Sequence, residues 1–174
     1  MRAMITGSLI GASVFVFIGF AQANPIDDCN QSADLEKQID GCTLFLEVDP
    51  FSPHVALAYG RRGEAYLHKG DFARAIADFD QAIRIDPRQA RFLVGRGLAH
   101  REHGDLDSAL ADYSKAIELD PSYRDAFANR AVLYDHKGEK ERAIADYRAA
   151  LSKNPALSDR RDIETALERL GTKP

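Results

Sequence analysis

The sequence has no tryptophan and only two cysteines among its 174 residues, and neither sign of charge dominates. Two cysteines are too few for a fold held together mainly by disulfides or for a four-cysteine zinc site. With 23 Lys and Arg against 27 Asp and Glu, the chain has no basic excess, so we expect no nucleic-acid partner. A hydrophobic share of 45% and a charged share of 29% exclude a disordered tail and a multi-span membrane protein. This balance favours a binding module over an enzyme.

The one long apolar run lies at the amino terminus, where Arg2 is the only charged residue before position 24. Apolar and small residues follow, and an Ala-Gln-Ala sequence ends at Ala23. This order predicts a secretory signal peptide over residues 1–23, with cleavage after Ala23. We therefore expect a periplasmic or secreted protein with no stable membrane insertion after cleavage. A retained membrane anchor is the alternative, since a run of about 17 apolar residues almost spans a bilayer.

An internal repeat occupies the middle of the chain, where residues 56–89, 90–123 and 124–157 align without a gap. Matching columns recur at one constant interval, the repeat length: Gly70/Gly104/Gly138, Asp71/Asp105/Glu139, Ala75/Ala109/Ala143, Ala82/Ala116/Ala150 and Pro87/Pro121/Pro155. The glycine ends one amphipathic helix, the acid caps the next, and the proline breaks the chain before the following unit. Each unit is therefore predicted to be an antiparallel helix pair that buries its apolar face by stacking on its neighbours.

These units resemble the tetratricopeptide repeat, in which large, small and aromatic residues alternate in a set order before a final proline. The residues that carry the resemblance are Tyr59, Gly63, Tyr66, Ala75, Phe79, Ala82 and Pro87 in the first unit; Leu93, Gly97, His100, Ala109, Tyr113, Ala116 and Pro121 in the second; and Phe127, Ala131, Tyr134, Ala143, Tyr147, Ala150 and Pro155 in the third. His100 departs from the family's aromatic column. The resemblance implies an all-α, right-handed superhelical solenoid of antiparallel helix pairs, similar to short exported bacterial proteins of this family.

A second departure is an arginine column where the family often has leucine. Each arginine is followed, always at the same spacing, by an aspartate at about the same height on the partner helix: Arg62 and Asp78, Arg96 and Asp112, Arg130 and Asp146. We interpret these as ion pairs within each repeat. The alternative is a basic ladder for an anionic ligand, which the facing carboxylates would neutralise.

Residues 24–55 are interpreted as a degenerate repeat, because residues 34–50 follow the second-helix pattern of residues 71–87. In this alignment Cys42 takes the column of Phe79 and Cys29 that of Tyr66. These columns face each other across a helix pair, so the two cysteines are predicted to form a disulfide in an exported protein. The alternatives are a redox pair, although C-x-x-C spacing is lacking, and a metal site that adds a histidine.

Residues 158–174 are predicted to form a helix that caps the array. Ser158 or Asp159 can cap its start and Gly171 its end, and one apolar stripe follows helical spacing: Ile163, Ala166, Leu167 and Leu170. Such a helix covers the stacking face that the last pair would otherwise expose.

The sequence carries no arrangement typical of an enzyme. There is no G-x-S-x-G elbow and no glycine-rich phosphate loop. His100 and His103 share one turn of helix and form at most a weak zinc pair, since His100 takes a packing column. We therefore expect no catalytic activity, no cofactor and no metal.

In tetratricopeptide arrays the first helix of each pair lines a concave surface that binds an extended peptide or a partner helix. By that resemblance the lining residues are Arg61, Glu64, His68, Val94, Leu98, Arg101, Asp125, Asn129, Val132 and His136. Some relatives grip a terminal carboxylate with a Lys/Asn/Arg clamp, whose positions here are Gly60, Glu64, Gly95, Asp125 and Asn129. Only Asn129 fits, and the two acids would repel a carboxylate.

The resulting prediction is a non-catalytic interaction module or scaffold of the bacterial cell envelope, whose partner is a protein or peptide. The first alternative is a structural unit that assembles with copies of itself. The second is a small-ligand or metal-handling protein built around His100 and His103.

Overall fold

The computed structural model describes residues 25–30, 33–153 and 160–172, so the predicted signal peptide and the capping residues Ser158 and Asp159 lie outside the described part. The described residues form nine α-helices and no strand. They are α1 (Pro25–Asn30), α2 (Leu35–Val48), α3 (Val55–His68), α4 (Phe72–Ile85), α5 (Ala90–Glu102), α6 (Leu106–Leu119), α7 (Arg124–His136), α8 (Lys140–Lys153) and α9 (Arg160–Arg169).

The helices pack as consecutive antiparallel pairs. The closest associations are α1 with α2, α3 with α4, α5 with α6 and α7 with α8. Each pair then packs on the next through α2–α3, α4–α5 and α6–α7, while α9 packs on α8 at the carboxyl end. This nearest-neighbour stacking makes the chain a solenoid, as the repeat predicts. No helix within the described ranges is long and apolar enough to cross a membrane.

The turns inside the three full pairs have the predicted chemistry. Gly70, Gly104 and Gly138 have φ values of 76°, 92° and 75°, in the left-handed region that disfavours side chains. The Asp71 carboxylate accepts a hydrogen bond from the backbone N–H of Arg74 at 3.1 Å, and Asp105 caps α6 in the same way. Local residue choice therefore sets where one helix ends and the next begins.

Small residues allow the helices to approach closely around buried aromatic rings. A Cβ placed on Gly95 would lie 2.5 Å from the Phe79 ring, and one on Gly97 would lie 2.6 Å from the Tyr113 ring. Both rings are fully buried. Because no side chain fits between helix and ring, each glycine holds the distance at which consecutive helices pack.

The arginine column forms the predicted ion pairs. Arg96 donates to Asp112 from Nε at 2.9 Å and from Nη2 at 2.6 Å, and the equivalent bidentate pairs are Arg62–Asp78 and Arg130–Asp146. The hydrogen bonds to Asp112 and Asp80 raise the pKa of Arg96 above its ordinary value. The interpretation as pairs within each repeat is confirmed.

Each arginine also reaches the preceding helix pair. Nη1 of Arg96 donates to Asp80 at 2.5 Å, and Nη1 of Arg130 donates to Ser114 at 3.1 Å. Arg62 donates to Thr43 at 2.9 Å, on the degenerate first pair. The three acceptors occupy one column, so this arginine links neighbouring repeats as well as the helices of its own.

Cys29 and Cys42 meet in the first helix pair, with their sulfur atoms 2.07 Å apart. Both residues are fully buried beside Phe45, Val55 and Ala58. The helix α1 has only six residues, so a covalent link would secure an element too short to be stable alone. The structure brings the two columns together as the alignment predicts.

Candidate functional site

The first helices of the pairs lie on the inner side of the solenoid. Consecutive first helices contact each other, α3 with α5 and α5 with α7, whereas consecutive second helices make no comparable contact within the described residues. Helices on the inside of a curved array are closer together than those on the outside. All ten predicted lining residues therefore belong to helices on the concave face.

Those ten residues differ in how much surface they offer. His68, Val132 and His136 are exposed, and six others are partly buried. Val94 is only 5% exposed and packs in the core with Ala126 and Tyr113. Because a buried side chain presents little surface to a partner, Val94 supports the concave face from beneath instead of lining it.

A cleft of about 260 Å³ opens at the carboxyl end of this face, between α7 and α9. Its lining residues are Asp125, Ala128, Asn129, Val132, Tyr147, Asp162 and Ile163. Three of them are predicted concave residues, while Tyr147 comes from α8 and the last two from the capping helix. The cap therefore forms one wall of the candidate site.

No aromatic residue of α9 contributes to the lining of this cleft. Between α3 and α5 the ring of Phe92 packs against Gly60, where no Cβ would fit. The residues one and two repeat lengths after Phe92 are Ala126 and Arg160. Arg160 directs its guanidinium to Glu164 at 3.0 Å along α9, so α9 supplies no equivalent of the Phe92 ring.

Hydrogen bonds within the chain already fix Asn129. Its amide oxygen accepts from Nη1 of Arg101 at 3.2 Å, and its amide nitrogen donates to the backbone oxygen of Asp125 at 2.8 Å. Gly60 and Gly95 are buried against aromatic rings. At Gly60, Gly95 and Asn129, the positions of a carboxylate clamp are therefore occupied by packing or by internal contacts.

Within the described ranges, the cleft carries two carboxylates, one on each wall. Asp125 on α7 pairs with the neighbouring Arg124, whereas Asp162 on α9 has no ion pair or hydrogen bond within the described part of the chain. At the base of the cleft, burial raises the pKa of the Tyr147 hydroxyl, so this group stays neutral. The cleft is thus acidic over an apolar base.

Guanidinium groups also lie on the concave face outside the lining of the cleft. The Nε atoms of Arg61 on α3 and Arg91 on α5 are buried without a hydrogen-bond partner in the described residues. Arg91 and Glu64 both act electrostatically on Tyr123, whose pKa is raised first by burial. Asp125 also acts electrostatically on Tyr123, so basic and acidic groups lie close together at the start of α7.

The sequence reasoning missed Arg91, Tyr147, Asp162 and Ile163. Arg91 lies one repeat length before Asp125 and therefore occupies the same position in its repeat as that predicted lining residue. The alignment that pointed to Asp125 could have identified Arg91 as well. Extending the repeat into the cap places Asp162 one repeat length after Ala128. No periodic signal points to Tyr147, which belongs to a core column and reaches the cleft from beneath.

The histidine pair shows no geometry of a metal centre. His100 Nδ1 lies 3.7 Å from Asp105 Oδ2, and His103 is exposed at the end of α5. Among the described residues, no three side chains of His, Cys, Asp or Glu are grouped closely enough to hold an ion.

Comparison with known proteins identifies the repeat. Tetratricopeptide-repeat models match residues 56–89 and residues 94–158. No curated protein sequence matches the chain. Among solved structures, the chain is similar to the second such domain of human RPAP3 in complex with the HSP70 peptide SGPTIEEVD, with 28% identity, coverage of 70% of this chain and 100% of that one, and a TM-score of 0.62.

Two further structures are similar in fold. The TPR2B domain of yeast Sti1, solved as a pHsp70 complex, has 26% identity, covers 67% of this chain and 95% of its own, and gives a TM-score of 0.63. A protein from Parabacteroides merdae has 20% identity, with coverage of 84% of this chain and 57% of that one, and a TM-score of 0.70. These matches show a right-handed superhelical solenoid.

Proposed function

Because the chain belongs to the tetratricopeptide-repeat family, we propose that it is a non-catalytic interaction module of the bacterial cell envelope, binding a protein or peptide on its concave face. The observation that carries this proposal is the cleft between α7 and α9. It joins Asp125, Asn129 and Val132 in one depression whose walls are both helical. A partner segment seated there would contact rigid elements on either side.

The similar domains support a peptide or protein ligand. Those of human RPAP3 and yeast Sti1 were solved with Hsp70 ligands. The RPAP3 ligand, SGPTIEEVD, is acidic, whereas the cleft of this chain carries Asp125 and Asp162. Like charges disfavour such a ligand here, so we expect a partner of different chemistry.

Export is proposed from the amino-terminal sequence together with the cysteine pair. The segment over residues 1–23 has the order of a signal peptide, and a disulfide between Cys29 and Cys42 would persist in an oxidising compartment. Closing a loop over a separation of 13 residues contributes roughly 3 kcal/mol on a loop-entropy model.

The export proposal is tested by expressing the full chain in a Gram-negative bacterium and fractionating the cells. We expect periplasmic protein whose mass begins at Asn24 and whose cysteines, in the denatured chain, react with a thiol reagent only after reduction. A full-length product in the membrane fraction would favour the retained anchor, and reactive thiols without reduction would refute the disulfide.

The binding proposal is tested by capture from periplasmic extract with the processed protein. We expect one dominant envelope partner that is lost with Asp125→Lys or Arg101→Glu. The matched control is Lys115→Glu, an exposed charge reversal on the second helix α6. Equal capture by all three variants would place binding elsewhere and refute the concave site.

Self-assembly is a second candidate because the chain exposes an apolar row at the carboxyl ends of its second helices. Val48 is 70% exposed, Ile85 50% and Leu119 37%, and Phe51, shortly after Val48 in the chain, is 96% exposed. Exposed apolar patches are typical of protein contacts. Sedimentation equilibrium over a wide range of concentration tests this: we expect association that Phe51→Ser with Ile85→Ser abolishes, and a constant monomer mass would refute it.

A further inference from the structure

We infer that the cleft between α7 and α9 binds a basic side chain, arginine or lysine, of the partner. This inference rests on the proposed function and adds the chemical class of the ligand.

The charges of the cleft select a cation. Among the lining residues that the structure describes, the carboxyl groups are those of Asp125 and Asp162 on facing helices, and none of these residues is basic. Arg124 pairs with Asp125 from outside the lining, and Asp162 has no partner within the described residues. A guanidinium or ammonium group entering between the helices would therefore be attracted by both walls.

The shape of the cleft suits the long stem of such a side chain. Ala128, Val132 and Ile163 provide apolar surface, and Val132 is 43% exposed. Arginine and lysine carry a flexible alkyl stem that packs on apolar surface while the charged head reaches polar groups. The cleft offers both requirements among its lining residues.

A bound metal ion is a poorer occupant. Two carboxylates on separate helices supply too few ligands, and the described residues place no third acidic or histidine side chain beside them. An acidic peptide is excluded by like charge. A basic peptide side chain is the occupant that uses both the carboxylates and the apolar base.

The test uses the ¹⁵N-labelled processed protein, which begins at Asn24, and three capped pentapeptides, Ser-Ala-X-Ala-Ser, in which X is Arg, Gln or Glu. We expect the Arg peptide to shift the amide signals of Ala128, Val132 and Ile163 and to bind about fivefold more tightly than the Gln peptide. The Asp125→Asn/Asp162→Asn variant should weaken binding of the Arg peptide about fivefold and abolish its advantage over Gln.

The matched control is Glu168→Gln, which removes one charge from an exposed position of the same helix α9 and should leave binding unchanged. Equal affinity of the Arg and Gln peptides at the cleft would overturn the inference while leaving a concave binding site intact. Shifts confined to other helices, or none with any peptide, would also overturn it. The proposed function is then judged separately by the capture experiment.

Discussion

The substitution Arg96→Met tests whether the arginine column holds the array together. Arg96 makes two hydrogen bonds to Asp112, whose side chain is only 7% exposed, and a third to Asp80 on the preceding pair. Removing the cation leaves the carboxylate of Asp112 buried without a counter-charge. Breaking a buried pair in this way costs about 3 to 5 kcal/mol, and we expect the lower end because Arg96 itself is 24% exposed.

Two companion variants separate the loss of the pair from the cost of an unpaired charge. Replacing both partners, Arg96→Met with Asp112→Leu, should return the free energy of unfolding to within about 1 kcal/mol of the wild type. Lys115→Ala is the control, since its pair with Glu118 is exposed on both sides and should change stability by less than about 0.5 kcal/mol.

Urea unfolding followed by far-ultraviolet circular dichroism measures these differences. Hydrogen exchange of α4 in the Arg96→Met variant adds a second readout, because Arg96 also holds Asp80 on that helix. We expect faster exchange in α4 as well as in α6. If Arg96→Met is as stable as the wild type, or if the double variant is no more stable than the single one, the reasoning about the buried carboxylate is refuted.

Three further predictions concern packing, burial and pH. Gly95→Ala should destabilise the protein by about 1 to 2 kcal/mol in urea unfolding, because its Cβ would meet the ring of Phe79; a gain in stability would show that the ring can move. Tyr113→Phe should raise the free energy of unfolding by about 1 kcal/mol, since the tyrosine hydroxyl is buried without a hydrogen-bond partner among the described residues. A loss of stability would instead show that the hydroxyl makes a hydrogen bond in the folded protein. The pKa of Asp71 is lowered by hydrogen bonds from the side chain and backbone of Arg74, and that of Asp105 by Ser108. The stabilisation by these two carboxylates is therefore complete at pH values above 3.8, the pKa of aspartate in the unfolded chain. It is lost as the pH falls through their lower pKa values in the folded protein. In the Asp71→Asn/Asp105→Asn variant, the urea midpoint of unfolding should fall less steeply with decreasing pH in the acid range than in the wild type. An unchanged pH dependence would contradict the assignment of this stabilisation to the two aspartates.

Much of the fold follows from the sequence because it is written in local and periodic signals. Gly70 and Asp71 end one helix and begin the next by backbone conformation and capping within a few residues. Arg96 and Asp112 are separated by the same number of residues as the equivalent arginine and aspartate of the other two repeats. The geometry of a single antiparallel helix pair sets this spacing. The meeting of Cys29 with Cys42 follows from the same column alignment.

The candidate site was predicted less completely because it depends on how different units lie against each other. The sequence alone identified α3, α5 and α7 as the inner helices through family resemblance, but it placed Val94 on the open surface. In the structure that side chain is buried against the neighbouring repeat. Burial at a helix–helix contact depends on the crossing of two units, which no single unit's periodicity specifies.

The sequence by itself therefore determined the repeat, the helix boundaries and the ion pairs within each repeat. Only the tertiary structure decided the hydrogen bond that each arginine of the repeat column makes to the preceding helix pair. It also decided the burial of the Nε atoms of Arg61 and Arg91 and the cleft between α7 and α9. The physical reason is side-chain volume at contacts between units: the ring of Phe92 on α5 fills the space over Gly60 on α3, whereas α9 carries no aromatic residue that could fill the equivalent space over Ala128. Differences of this kind set the spacing of neighbouring helices, and with it the acidic cleft.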